Sequence, residues 1–328
     1  MKGIVYTKFG SPDVLKIKDI EKPVPEDNQV LIRVKAASMY YLDYSRFTNQ
    51  VNGGKMPFST RIMDTVMRSV GKTIGSEVAG IVESVGKNVT SMKIGDKVFG
   101  TTAGLVGGLA EYALADELTA CVMPINLTFE EAATIPLASI TAFGGIHDAQ
   151  LKPGKSVLIY GASGGVGQSL LQQCKAHGTK VTAVCSTRNI EIAQKLGADY
   201  TIDYMKEDFT NQGKNYDFIF SVNGYNSLGA YKKLLNNGGK FIALGNSKQI
   251  ATSMALGPLY SNKNKKMITS NYFSTIKQPS LPYIKKLIEQ EKLKPYVENV
   301  YSAKDVKKAI TNICKSHAQG KIAFKMDL

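Results

Sequence analysis

The stretch over residues 157–178, VLIYGASGGVGQSLLQQCKAHG, constrains the rest of this chain more than any other. An apolar run, a glycine cluster and apolar residues at helical spacing follow one another, which reads as strand, tight turn and helix. Gly164, Gly165 and Gly167 let the main chain turn sharply and come close to a ligand, so that the amides of the first helical turn face outward. Those amides, from Ser163 to Gly167 and including Val166, suit a pyrophosphate when joined with the helix dipole. The G-x-G-x-x-G pattern is incomplete, because Ala162 stands where the first glycine belongs. A glycine-rich turn can also be a plain connection, and it is the apolar strand before it and the helix after it that favour a nucleotide.

Around this unit the chain changes character along its length. Residues 1–37 read as short strands punctuated by Pro12, Pro23 and Pro25, and 74–100 alternates β-branched residues with glycines, as a small curved barrel needs. Between them lies a polar segment with helical periodicity over 61–70, a candidate loop over a cleft. From Phe129 strands and helices alternate, with Thr128 a candidate N-cap, which predicts a parallel sheet covered on both faces. Later helices are expected over 281–290 and 304–314, and a closing strand over 321–324 could return to the first domain. A length of 328 residues calls for two separate cores.

Composition narrows the function classes. Four cysteines, Cys121, Cys174, Cys185 and Cys314, are scattered without paired spacing, which fits a reducing cytoplasm and argues against a zinc cluster. No stretch has the length and apolar character of a signal peptide or a membrane span. The net charge of +14 is concentrated late, with 14 lysines against 5 acidic residues from Tyr260 onward. Such a face could meet nucleic acid, an anionic surface or a phosphorylated cofactor, or simply keep the protein soluble.

Several segments, in order, carry a resemblance: GSEVAGIVESVGKNVTSMKIGDKVFG, LAEYALADELTACVMP, FEEAATIPLASITAF, LKPGKSVLIYGASGGVGQ, LGADYTIDY and SHAQGKIAF. Over essentially its whole length the chain resembles the medium-chain dehydrogenase/reductase superfamily, and within it the zinc-free quinone oxidoreductase branch that includes zeta-crystallin. The resemblance implies an α/β fold: a GroES-like β-barrel catalytic domain over 1–126, completed by 270–328, and a Rossmann doubly wound parallel-sheet cofactor domain over 127–269. Alcohol dehydrogenases of this superfamily bind catalytic zinc through a cysteine after the third strand and a histidine in Gly-His-Glu. Here those places hold Ser38 and, in Gly75-Ser76-Glu77, Ser76. Neither hydroxyl replaces such a ligand, so no metal residues are expected and hydride transfer needs an acceptor that is already electrophilic.

The expected cofactor is NADPH. NAD enzymes place a carboxylate at the end of the second strand to bind the ribose, whereas this chain has Cys185-Ser186-Thr187-Arg188. A carboxylate would repel a 2′-phosphate, while hydroxyls and a guanidinium can bind it. Ser186 and Arg188 are the first candidates, although Arg188 could merely start a surface helix. The resemblance adds Tyr204, Leu244, Asn246 and Lys321 on the cofactor side, and Tyr272 as a further residue facing the cleft. At the reactive end, Thr141 matches a family threonine near the nicotinamide, or is a helix hydroxyl bonded to its own backbone. Tyr40 stands where relatives carry asparagine, and could stack on a ring substrate, donate to a reduced carbonyl, or simply hold the barrel loop. The expected activity is zinc-independent reduction of a quinone or an enone by a cytoplasmic homodimer. A crystallin-like or RNA-binding role without catalysis is the alternative.

Overall fold

The computed structural model describes residues 1–48, 50–51, 54–55, 73–270, 280–315 and 319–328. The periodic segment 61–70 and Tyr272 lie outside the described residues. The chain divides into one unit of Met1–Leu137, Leu281–Glu289 and Pro295–Leu328 and a second of Ala138–Ser280 and Gln290–Lys294. Both breaks fall later than the sequence-based boundaries at 126 and 269.

In the first unit, β1 (Lys2–Tyr6) and β2 (Leu15–Asp19) pair antiparallel, followed by β3 (Gln29–Ser38) and α1 (Tyr41–Thr48). Next come β4 (Glu77–Val85), β5 (Lys97–Thr101), β6 (Tyr112–Asp116), β7 (Ala120–Val122) and α2 (Phe129–Ala133). Thr128 does cap α2, in a reciprocal capping box with Glu131: the Glu131 amide donates to Thr128 Oγ1 at 3.2 Å, and the Thr128 amide to the Glu131 carboxylate at 2.9 Å. Ala132 and Ala133 are buried, and Glu130 lies 3.9 Å from Lys325. This helix therefore belongs with the barrel, which moves the boundary past it.

The second unit opens with α3 (Pro136–Ala149), whose first two residues still count with the barrel. It continues with β8 (Ser156–Tyr160), α4 (Gly165–Ala176), β9 (Lys180–Cys185), α5 (Ile190–Lys195), β10 (Tyr200–Asp203) and β11 (Tyr216–Ser221). Then follow α6 (Leu228–Leu234), β12 (Leu235–Ala243), α7 (Ser247–Tyr260) and β13 (Lys265–Thr269). The six strands are parallel in the order β10-β9-β8-β11-β12-β13, the doubly wound arrangement. Covered on both faces, β8 buries Val157, Leu158 and Ile159 completely. On one side of the sheet Tyr231 stacks on Phe241 at 4.3 Å between ring centroids. The lysine-bearing edge strand β13 has no counterpart in the sequence reading, and the apolar run 254–260 is the last part of α7.

The chain closes in the first unit with α8 (Ser280–Glu289), β14 (Val297–Ser302), α9 (Val306–Lys315) and β15 (Lys321–Lys325). The returning strand is real, and its register matters. β3 pairs with β6 near its start, with β15 near its end, and with β4 along most of its length. Ser38 thereby lies opposite both Ala323 and Glu77. Irregularities in the β3–β4 ladder at Leu31/Ile32 and Val34/Ala36 bend this strand as a closed barrel requires.

Candidate nucleotide and active sites

In the second unit the turn after β8 is built to be tight on one side and open on the other. Gly161 has φ 86°, and a side chain there would meet the Asn223 amide at 2.6 Å. A Cβ on Gly167 would lie 2.2 Å from the Gly161 carbonyl oxygen, so α4 can pack this closely on the turn only without one. Gly164 is the contrast. As N-cap of α4 it has ordinary backbone angles and open space around it, and it offers no capping side chain. The first-turn amides of Gly165, Val166 and Gly167 have no intrahelical acceptor by the geometry of a helix start. Gln168 braces the turn from inside, donating from Nε2 to the Ser163 carbonyl at 2.8 Å. An uncapped helix start beside empty space fits an anionic group such as a dinucleotide pyrophosphate, and a Cβ at Gly164 would intrude on it.

At the end of β9, Ser186 is half-buried and Thr187 and Arg188 are exposed. Asn189 is buried and donates from Nδ2 to Ser186 Oγ at 3.0 Å. Next door, β10 places Asp203 opposite Cys185. A carboxylate therefore does reach this strand end, one strand over from where an NAD enzyme would carry it. It is engaged: Thr187 Oγ1 donates to Oδ2 at 2.6 Å, the Met205 amide to Oδ1 at 3.0 Å, and the Lys206 ammonium is 3.8 Å away. The Thr187 hydrogen bond holds the Asp203 carboxyl below its usual range. Tyr204 is about half exposed, at 47%, and meets Tyr160 edge-on. Sequence reasoning missed Asp203 and Asn189, although Asp203 precedes the tyrosine it did single out.

Of the remaining cofactor-side candidates, Leu244 is buried, and its methyls would lie within 2.8 Å of a Cβ on Gly145 of α3. Asn246 sits at φ 60°, where its side chain caps α7 by accepting from the Lys248 and Gln249 amides at 3.1 and 3.2 Å. Thr141 is buried in α3. Two residues before it, Ser139 is tied to α4 through Ser169 Oγ at 2.8 Å and Gln173 Nε2 at 3.1 Å.

The first unit holds a buried charged cluster that sequence reasoning missed. Glu77 is fully buried, accepts from the Leu137 amide at the start of α3 at 3.0 Å and pairs with Lys321. Lys321 also donates to the Met39 carbonyl at 2.8 Å, and its ammonium lies 5.9 Å from the Tyr40 ring centroid. Burial pushes the Glu77 carboxyl above its ordinary value against the pull of Lys321. Burial likewise raises Tyr40, with the Glu77 charge adding to it. Asp43 accepts from the Tyr40 amide at 2.8 Å, Ser76 Oγ at 2.7 Å and the Gly75 amide at 3.2 Å. Arg46 stands 3.4 Å from it and donates onward to the Leu105 carbonyl. Burial raises Asp43 too, and Arg46 and these donors oppose it. Ser38 Oγ donates to the Ile322 carbonyl at 2.8 Å. Both serines at the positions of the zinc ligands thus spend their hydroxyls on protein oxygens. Among the described residues no three of His, Cys, Asp and Glu are grouped to hold a metal ion, and no helix is long and apolar enough to cross a membrane.

Comparison with known proteins agrees with this architecture. Residues 26–126 match the alcohol dehydrogenase GroES-like domain, and 196–323 match a zinc-binding dehydrogenase model. The chain is 32% identical to the quinone oxidoreductase of Homo sapiens, over 98% of this chain and 97% of that protein. It is equally 32% identical to the chloroplastic NADPH-dependent alkenal/one oxidoreductase of Arabidopsis thaliana, over 98% and 78%. The solved quinone oxidoreductase from Coxiella burnetii superposes with a TM-score of 0.84 at 27% identity, covering 99% of both chains.

Proposed function

Because this chain belongs to the medium-chain dehydrogenase/reductase superfamily and is an oxidoreductase of that family, we propose that it reduces a quinone or an α,β-unsaturated carbonyl with NADPH. The observation that carries the reading is the uncapped, open start of α4 next to a β9 end bearing Ser186 and Arg188, with the nearby carboxylate already engaged. When bound, the reduced nicotinamide supplies the hydride. The chain holds the pyrophosphate on the amides from Ser163 to Gly167, and the 2′-phosphate on the Ser186 hydroxyl and the Arg188 guanidinium, with Tyr204 against the adenosine. Thr141 and Tyr40 are the hydroxyls offered to the nicotinamide carboxamide and to the acceptor oxygen that gains charge, where a positioned donor lowers the barrier. Lys321 keeps the Met39–Tyr40 backbone in place for this.

A quinone becomes aromatic on reduction and needs little acid catalysis, whereas an enone depends more on donors. No catalytic metal is proposed, because the Ser38 and Ser76 hydroxyls are both committed to protein oxygens. A second copy of the chain is proposed to pair along the edge of β13, where Met254, Leu256 and Leu259 of α7 are exposed; light scattering that gives a monomer mass refutes this. The test of the activity is steady-state NADPH oxidation with a simple quinone and with an α,β-unsaturated ketone. Turnover of either supports the reading, and turnover of neither defeats it.

A further inference from the structure

Resting on the NADPH reading above, we propose that the Thr187–Asp203 hydrogen bond is what makes this nucleotide site choose the 2′-phosphate. In doubly wound dehydrogenases a carboxylate at the end of the second strand accepts from the ribose hydroxyls and repels a phosphate. Here the second strand ends without one, but the third brings Asp203 into register with Cys185, a single strand away. A carboxylate so close would act on whatever occupies the ribose position unless something held it. Two donors hold it. The Met205 amide, two residues on, curls the side chain back over its own turn at 3.0 Å, and Thr187 Oγ1 closes on the other oxygen at 2.6 Å. Thr187 is therefore a positioning residue, acting through Asp203.

The same bond steadies the short turn Thr187–Asn189 that carries Arg188. At the far end of that turn Asn189 donates to Ser186 Oγ at 3.0 Å. The oxygen of Ser186 is thereby used as an acceptor, and its hydrogen is left to be given away, as an acceptor-only phosphate requires. Thr187 and Asn189 fix the two ends of one turn, and Arg188 is exposed between them.

Removing the Thr187 hydroxyl releases a carboxylate towards the ribose, and removing the charge as well undoes the damage. The probes are 2′,5′-ADP and 5′-AMP, which differ only in the 2′-phosphate, titrated calorimetrically into the full chain. Wild type is expected to prefer 2′,5′-ADP. Thr187→Val lowers that preference roughly tenfold, the worth of one hydrogen bond to a charged group, with 5′-AMP unchanged or tighter. Thr187→Ser retains the preference, as does Asp203→Asn, and Thr187→Val with Asp203→Asn regains it. A wild type indifferent to the 2′-phosphate defeats the NADPH reading itself. A preferring wild type whose Thr187→Val variant keeps its preference overturns the inference alone. So does a double variant that stays as poor as Thr187→Val, or an Asp203→Asn variant that loses preference. If Thr187→Val does not fold, Thr187→Ala takes its place in both the single and the double variant.

Discussion

Glu77 shows what a single buried carboxylate demands of its neighbours. It is wholly enclosed, and Lys321, 244 residues away in sequence, is its counter-ion. Lys321→Met should cost about 3 to 5 kcal/mol in urea unfolding, the usual penalty for leaving one buried charge unpaired. Adding Glu77→Gln should recover most of it, because a neutral pair of similar size no longer needs a counter-ion. Arg188 is a contrasting case, an exposed cation to which the function proposed above gives a role in recognition. Arg188→Ala should raise the KM for NADPH about tenfold, the scale of one charge-assisted contact, with little change for NADH. Residues of the second kind can be nominated from sequence, because they sit beside a motif. Glu77 with Lys321, and Thr187 with Asp203, were not. Each pair exists only through strand register, β3 with β4 and β15 in one case and β9 with β10 in the other.

Among the described residues, helix starts divide into those the chain finishes itself and those it does not. Thr128, Ser227 and Asn246 cap α2, α6 and α7 with their side chains, whereas Gly164 leaves α4 without one. Gly164→Ala should therefore fold normally, since nothing lies within 4 Å of the added methyl, yet bind dinucleotide more weakly. Gly167→Ala should fail the other way, losing the folded turn because its methyl meets the Gly161 carbonyl oxygen at 2.2 Å. Thermal melts paired with fluorescence titration of NADPH separate the two outcomes. The strand, turn and helix of this unit could be read directly, because a buried parallel strand and a glycine cluster are both written in neighbouring residues. The strand β13 could not. Its sequence KKMIT looks like charged surface, and it is a strand only because β12 offers it an edge.

As a whole the chain is two units, each with its own core, and the pair of folds was legible where the barrel's exact limit was not. Thr128 and Phe129 signal a helix but not the sheet on which it packs. In the second unit Asp199, Asp203, Asp208 and Asp217 all titrate below the usual carboxylate range. Asp203 and Asp208 are held there by hydrogen bonds from Thr187 and Thr210. At Asp199 and Asp217 burial pushes upward and is outweighed, by Lys175 and the Val181 amide in one case and by Ser156 in the other. A folded pKa below the unfolded value of about 3.9 contributes stability that is present above that pH and lost as pH falls through the folded value. The melting temperature of the protein should thus be nearly level from neutral pH to about 5 and drop steeply below about 4. Asp199→Asn should lower it at neutral pH and flatten the acid limb, as followed by circular dichroism. The bare start of α4 also bears on how long the molecule survives. A ligand that binds only the native form shifts the balance away from the opened chain as its free concentration rises above its dissociation constant, and the dinucleotide proposed above would act in this way. On the reading proposed above, protease should digest the chain more slowly with dinucleotide present than without it.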